Sequence, residues 1–168
     1  MKDNPYNYKF KFDNKVIFLV GNIGSGKSTY INGLKDHYIV CSRDKIRYML
    51  GNGNYIFDKV LEPAVWQGEL ALYTNLTKIG VNIVIDEVNA NPNMRQRYLE
   101  VTPPSYEKTA IIMPYLTKEE SVNRRMQNPH GISLRGEWEN VWERFNGIYE
   151  PPTIEEGFDK IINLGEMI

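Results

Sequence analysis

Four short apolar runs punctuate a largely polar chain: residues 16–20 (VIFLV), 38–41 (YIVC), 81–86 (VNIVID) and 109–114 (TAIIMP). Each is apolar almost without alternation, the pattern of strands covered on both faces of a parallel sheet. Helices are predicted between and after them. The first follows VIFLV and its glycine-rich loop, through STYINGLKDHY; the second covers SRDKIRYML, opening on Ser42 or Asp44. A third spans residues 62–79, where Trp66, Leu70 and Tyr73, with Leu72, Leu76 and Ile79, recur at helical spacing and Pro63 is confined to the first turn. Asn91 can cap a fourth, with Pro92 at its first position. A capping box from Thr117 to Glu120 opens a fifth, and a second box, Thr153 to Glu156, precedes the last apolar run, KIINL. GNGNY, after the second helix, is turn chemistry. Alternating strand and helix predict an α/β domain with its ligand site at the carboxyl ends of the strands. Residues 127–151 break the alternation, being polar and aromatic without strand character, and are a lid candidate.

The loop after the first run, GNIGSGKST, has the spacing G-x-x-x-x-G-K-S from Gly21 through Gly26, Lys27 and Ser28, which is a Walker A loop. Gly21, Gly24 and Gly26 are read as positions of positive φ and close approach, so that amides from Gly24 through Ser25, Gly26, Lys27, Ser28 and Thr29 converge on phosphates at the start of a helix. Lys27 supplies a point charge for the β- and γ-phosphates, and the Ser28 hydroxyl is placed to ligate Mg²⁺. ATP or another NTP, with Mg²⁺, is the expected cofactor.

Composition narrows the context. At 168 residues, 42% hydrophobic and 24% charged, the chain fits one ordinary globular domain over residues 1–168, with the lid at about 124–150. No apolar run approaches the ~20 residues that span a bilayer, and MKDNPYNYKFKF does not resemble a signal peptide, so a soluble cytoplasmic protein with no membrane partner is expected. Residues 2–14 read as an added edge strand or a tail. The single cysteine, Cys41, reads as a small buried residue and excludes an intrachain disulfide. There is no Cys/His metal cluster. A net charge of −1 gives no basic excess of the kind that high-affinity binders of a phosphate backbone carry, though a partner touching only a few nucleotides would not need one. His37 and His130 are unpatterned and read as surface or capping residues; Trp66, Trp138 and Trp142 read as core.

A phosphate donor needs an acceptor. Asp44, just past the second strand, shares the crevice with the Walker loop and can take a hydroxyl proton as the oxygen attacks in line. Arg47, at i+3, lies on the same helix face and can hold a substrate phosphate, with Arg43 beside it. The simpler alternative is that Asp44 caps its helix and pairs with Arg47 or Lys45. At the end of the third strand, in IDEVN, Asp86 or Glu87 fits the Walker B role; Asp86 is favoured for the metal, and Glu87 falls to the acceptor side. Asn89 either reaches substrate or forms a turn. Arg124 and Arg125 end the fifth helix, where they complement its dipole or neutralise the transferring phosphoryl group, with Arg135 and Arg144 in reserve.

The ordered set VGNIGSGKST, SRDKIR, IVIDEVNANPNMRQRYL and YEPPTIEEGFDKI resembles the kinase domain of 5′-hydroxyl polynucleotide kinases, the end-healing enzymes of phages and of nucleic-acid repair, over nearly the whole chain. The resemblance implies a P-loop NTPase fold of the adenylate-kinase-like type, a three-layer domain with a central parallel sheet and a C-terminal lid. It implies transfer of the ATP γ-phosphate to a 5′-OH end of DNA or RNA, with Lys27 and Ser28 on ATP and Mg²⁺, Asp44 as general base, Arg47 on the adjoining nucleic-acid phosphate and Arg124 at the donor phosphates. Ser42, Val88 and Asn128 depart from the family's usual Asn, Thr and second lid arginine. Two alternatives stand beside it: a small-molecule or nucleoside kinase on the same scaffold, and a nucleotide-dependent binding module without transfer.

Overall fold

Five parallel strands form the centre of the computed structural model, which describes residues 13–35, 37–132 and 134–166. The edge strand or tail expected over residues 2–14 lies almost wholly outside them. The strands are β1 (Lys15–Val20), β2 (Ile39–Cys41), β3 (Ile83–Ile85), β4 (Glu107–Ile112) and β5 (Lys160–Asn163), in spatial order β2-β3-β1-β4-β5. The last apolar run is therefore a fifth strand, at the sheet edge beside β4. Around them lie α1 (Lys27–Asn32), α2 (Arg43–Leu50), α3 (Glu62–Ile79), α4 (Pro92–Leu99), α5 (Lys118–Met126) and α6 (Arg135–Gly147). Among the described residues, no helix is long and apolar enough to cross a membrane.

Central β1 explains its own sequence. Val16, Phe18 and Val20 pack into one core cluster with Tyr73, Tyr98 and Phe158, while Ile17 and Leu19 pack into another with Met113 and, from α1, Tyr30 and Ile31. Both faces of the strand are covered, so every position is apolar. Local signals also hold: the Asn91 side chain accepts a hydrogen bond from the Met94 amide at 3.0 Å, and both halves of the Thr117–Glu120 box are made. The Thr153–Glu156 box opens only a single 3₁₀ turn, Ile154–Glu156. Helix α1 is shorter than expected, ending at Gly33, whose amide bonds back to Thr29 and Tyr30.

The buried face of α3 differs from the predicted stripe. Val65, Glu69, Tyr73 and Thr77 are buried, Leu70 and Leu76 are half-buried, and Leu72 and Ile79 are exposed. Two polar residues, Glu69 and Thr77, hide the true face from a hydrophobicity reading: the partner of Glu69 comes from elsewhere in the chain, and the Thr77 hydroxyl is satisfied within its own helix, donating to the Thr74 carbonyl at 2.8 Å. Glu69 is fully buried and its carboxylate accepts from the Tyr98 hydroxyl, at 2.8 and 2.6 Å to its two oxygens. Burial, then the neighbouring Glu87, pushes Glu69 from 4.5 up to about 7. A carboxyl that is more basic in the folded state binds its proton preferentially there, so its contribution to stability is full below the unfolded value and is lost as pH rises through about 7. Glu69→Gln is therefore expected to gain stability relative to the parent between pH 5 and 8, by up to about 3 kcal/mol. Paired urea melts at the two pH values check this, and a difference that does not change with pH contradicts it.

The segment expected to be a lid contains α6. A third apolar cluster joins Trp138 and Trp142 of α6 to Val122 of α5 and to Ile23 of the Walker loop. Both tryptophans are core, as expected. Where the chain leaves α6, fully buried Arg95 of α4 binds it: Nε and Nη2 donate to the two carboxylate oxygens of Glu156 at 2.7 Å each, and Nη1 donates to the carbonyls of Asn89 (2.9 Å) and Glu150 (3.0 Å).

Candidate active site

The Walker loop turns on two left-handed glycines, Gly24 (φ 67°) and Gly26 (φ 95°), and α1 begins directly at Lys27. Gly21 serves a different purpose from the one expected. Its φ is not positive; a Cβ there would meet the Met113 Cβ and the Ser25 Oγ, each at 2.7 Å, so glycine is required by close packing against the end of β4. A Cβ on Gly24 would come within 2.5 Å of the Ser121 carbonyl, so α5 lies directly on the loop. Asn22 adds a tie to α6, its Nδ2 donating to the Trp142 carbonyl at 3.0 Å. Ser25 is buried, whereas Ser28 and Thr29 are exposed on the first turn of α1.

Lys27 lies across the loop, its Nζ donating to the carbonyls of Gly21 and Asn22 at 2.8 Å each. Burial lowers its pKa to about 8, against the opposing pull of Asp86; Arg125 lowers it further, and Glu87 and Asp44 raise it. Residues from the ends of β1, β2 and β3 and from α5 thus share one electrostatic neighbourhood. Asp86 is raised by its own burial and lowered by Lys27. Glu87 turns the other way: it accepts from the Arg43 amide at 2.8 Å and pairs with the Arg43 guanidinium. Successive side chains at a strand end face opposite sides, and here Asp86 takes the Lys27 side. Arg43, expected toward the acceptor, is held by Glu87 and stacked on Trp66 at 3.7 Å, with Arg97 over the same ring at 4.5 Å. Trp66 is thus a half-buried filler between two guanidiniums. Asn89 is buried at φ 50° and donates to the Leu19 carbonyl at 2.8 Å, which makes it a strap between β3 and β1.

Asp44 and Arg47 meet on α2. Asp44 Oδ1 accepts from Arg47 Nη1 at 2.6 Å and from the Tyr55 hydroxyl at 3.1 Å, so the simpler pairing reading is realised. It coexists with solvent exposure, since the Asp44 side chain keeps 40% of its surface open. Ser42, not Asp44, is the N-cap residue. Arg47 is more constrained than expected. Nε and Nη2 donate to the two Glu62 oxygens, at 2.9 and 2.6 Å, which holds Glu62 below its usual range. Three of the five guanidinium N–H groups are then engaged, and two have no hydrogen-bond partner among the described residues.

The paired arginines divide. Arg124 is exposed, with Nη1 at 3.5 Å from the Gly24 carbonyl. Arg125 points inward: it stacks on Trp138 at 4.9 Å, is lowered chiefly by burial, and interacts with Asp44, Asp86 and Tyr55. The reserve cations lie outside the site, Arg135 bonded to Glu139 and Asn123, and Arg144 exposed beside Phe145. Four residues of the neighbourhood carried no usable sequence signal: Tyr48, Tyr55, Glu62 and His130. Tyr55 and Glu62 join Asp44 and Arg47 across a turn and a helix boundary, and His130 arrives from beyond α5, so only the fold brings them together. A cavity of about 470 Å³ adjoins the loop, lined by Gly21, Met113, Ser121, Trp142 and Tyr149. Lys27, Asp44 and Asp86 do not line it, so it is not the seat of the charged cluster.

Two hard oxygen donors, the exposed Ser28 hydroxyl and the Asp86 carboxylate beside Lys27, suit Mg²⁺, which keeps most positions for phosphate oxygens and water. The glycine cradle at the start of α1 suits the phosphates themselves.

No protein-family model and no curated protein matches the chain. Solved structures do. A chain from the structure of the Pnkp1/Rnl/Hen1 complex is 26% identical over 70% of this chain and 40% of its own, with a TM-score of 0.55. A chain from the Pnkp1/Rnl/Hen1 RNA repair complex is 21% identical over 93% of this chain and 49% of its own, at 0.64. The APS kinase CysC of Mycobacterium tuberculosis, in complex with AMPPNP and APS, is 14% identical over 94% of each chain, at 0.57. The protein spans less than half of the repair-complex chains that it resembles. Its fold is that of the P-loop kinases, and the similarity to the Pnkp1-containing complexes agrees with the polynucleotide-kinase resemblance of the sequence.

Proposed function

We propose that the protein is an ATP- and Mg²⁺-dependent kinase that transfers the γ-phosphoryl group to the 5′-hydroxyl end of a nucleic acid. The observation that carries this reading is the shared field of Lys27, Asp86 and Asp44: a carboxylate with an open face stands within electrostatic reach of the phosphate-binding lysine. A nucleotide-binding module has no need of such a base.

In this reading the loop amides and Lys27 hold the donor phosphates, and Ser28 and Asp86 would hold Mg²⁺, which would supply charge neutralisation for the transferring group. The acceptor hydroxyl passes its proton to Asp44 as its oxygen attacks the γ-phosphorus, and ADP leaves. Arg47, fixed by Glu62, offers its two remaining N–H groups to the phosphate beside the terminal nucleotide. Arg125, with Arg124 nearer the loop, neutralises developing charge. The inward cation at position 125 makes up for Asn128, where some polynucleotide kinases have a second lid arginine. Residues 124–150 act as the lid, resting on Ile23 through Trp138 and Trp142.

A second reading, a kinase of small molecules, is favoured by the likeness to APS kinase over 94% of both chains. γ-Labelled ATP offered with 5′-hydroxyl oligonucleotides, single- and double-stranded, DNA and RNA, separates the two. Label at a 5′ end is expected. Label found only on nucleosides or other small alcohols transfers the assignment to the second reading, and binding of ATP with no acceptor labelled at all supports a binding module.

A further inference from the structure

The segment entering the presumed lid places a histidine against the proposed base. His130 adopts a left-handed backbone (φ 49°), followed by Gly131 (φ 79°), and this pair turns the imidazole inward. Its Nδ1 is 2.6 Å from the Tyr48 hydroxyl, and its ring stacks on Tyr55 with centroids 5.2 Å apart and planes 24° from parallel. Its Nε2 is 4.0 Å from Asp44 Oδ2. That oxygen has no hydrogen-bond partner among the described residues, because Arg47 and Tyr55 both bind Oδ1. A shift of about 1 Å would convert the approach into a hydrogen bond.

We propose that His130 is a positioning residue: it fixes the open oxygen of Asp44 toward the acceptor and so makes seating of the segment between α5 and α6 a condition for proton transfer. The inference rests on the kinase reading. The groups facing the imidazole are Asp44 and Tyr48 from α2, Tyr55 from the turn that follows, and Arg125 from α5. Burial, then Arg125, lowers the His130 pKa below its usual value, so the ring is neutral at pH 7 and carries one N–H. The Asp44 carboxylate favours that hydrogen on Nε2, and the Tyr48 hydroxyl then donates to Nδ1. With that shift made, a single chain of donors runs from Tyr48 through His130 to Asp44. It moves no proton of its own; it sets where the Asp44 oxygen points.

The test compares His130→Leu with His130→Gln, whose amide N–H can reach the place of Nε2–H. His130→Leu should lower kcat by roughly 10- to 100-fold, the scale of an ångström's misplacement at a reacting group, with KM for ATP unchanged. His130→Gln should recover most of the rate. An unchanged kcat in the leucine variant overturns the inference, and so does a glutamine variant as poor as the leucine one, which is the behaviour of a space-filling residue. A second measurement does not need the reaction. The His130 imidazole, distinguished by NMR from the chain's other histidine, His37, should titrate at lower pH in Asp44→Asn, where the carboxylate's field is gone. An unmoved titration overturns the contact itself, whereas failure of the parent protein to label oligonucleotides counts only against the proposed acceptor.

Discussion

Asp44→Asn is expected to slow phosphoryl transfer by roughly 10²- to 10⁴-fold, the usual worth of a general base, while nucleotide affinity stays close to that of the parent. The amide is nearly isosteric and its oxygen can still accept from Arg47 and Tyr55, as Oδ1 does now. Arg47 also keeps its two bonds to Glu62, so the acceptor side remains assembled. What is lost is basicity at Oδ2, the oxygen that neither Arg47 nor Tyr55 binds. Lys27 feels Asp44 only as the last of its charged neighbours, behind Asp86, Arg125 and Glu87, so the donor side is little affected. Single-turnover transfer and calorimetric titration with ADP check the two halves separately. Near-parental transfer in the variant removes Asp44 from the role of base, and a parallel loss of ADP affinity reassigns it to organising the donor side.

Arg95→Leu should produce the largest loss of stability, about 3–5 kcal/mol, as when one partner of a buried ion pair is removed. At the size of this chain such a loss lowers Tm by on the order of 10 °C. Arg95 is completely buried, and its guanidinium satisfies both Glu156 oxygens and the carbonyls of Asn89 and Glu150. Leucine fills part of the volume and supplies no donor, leaving a carboxylate at 10% exposure and three carbonyls, those of Asn89, Glu150 and Pro151, without that partner. Glu156→Gln in the same background should restore part of the loss, since it removes the stranded charge; thermal melts of both variants decide this. A Tm within a few degrees of the parent for Arg95→Leu would mean that the arginine contributes shape alone. Because Arg95 joins the Asn89 strap to the chain leaving α6, the variant should also loosen the end of the presumed lid, visible as faster amide exchange at Glu150, whose N–H bonds to the Ala90 carbonyl.

Much of the scaffold was legible from local chemistry. The apolar runs became β1 to β4, the Walker spacing became a loop on two left-handed glycines, and Asn91 and Thr117 cap the helices they were expected to cap. These features depend on residues within about four positions of one another, where backbone sterics and capping geometry act. Legibility failed where a side chain's partner lies far along the chain. Glu69 and Arg95 drew no reading from the sequence, yet both are fully buried, the first with Tyr98 at 29 positions' separation and the second with Glu156 at 61. Leu72 and Ile79 read as core on periodicity and are exposed, because a helix with two apolar edges and polar residues between them has no unique inner face until its neighbours are placed.

By itself, then, the sequence determined a nucleotide-binding α/β domain, since strand burial, glycine conformation and the lysine–serine pair are all encoded contiguously. The tertiary structure alone decided the acceptor side. It turned Asp86 toward Lys27 and Glu87 toward Arg43, spent three donors of Arg47 on Glu62 and Asp44, divided Arg124 from Arg125, and laid His130 over the open oxygen of Asp44. A charge's role follows from its net field, and that field is summed over groups which chain order does not bring together.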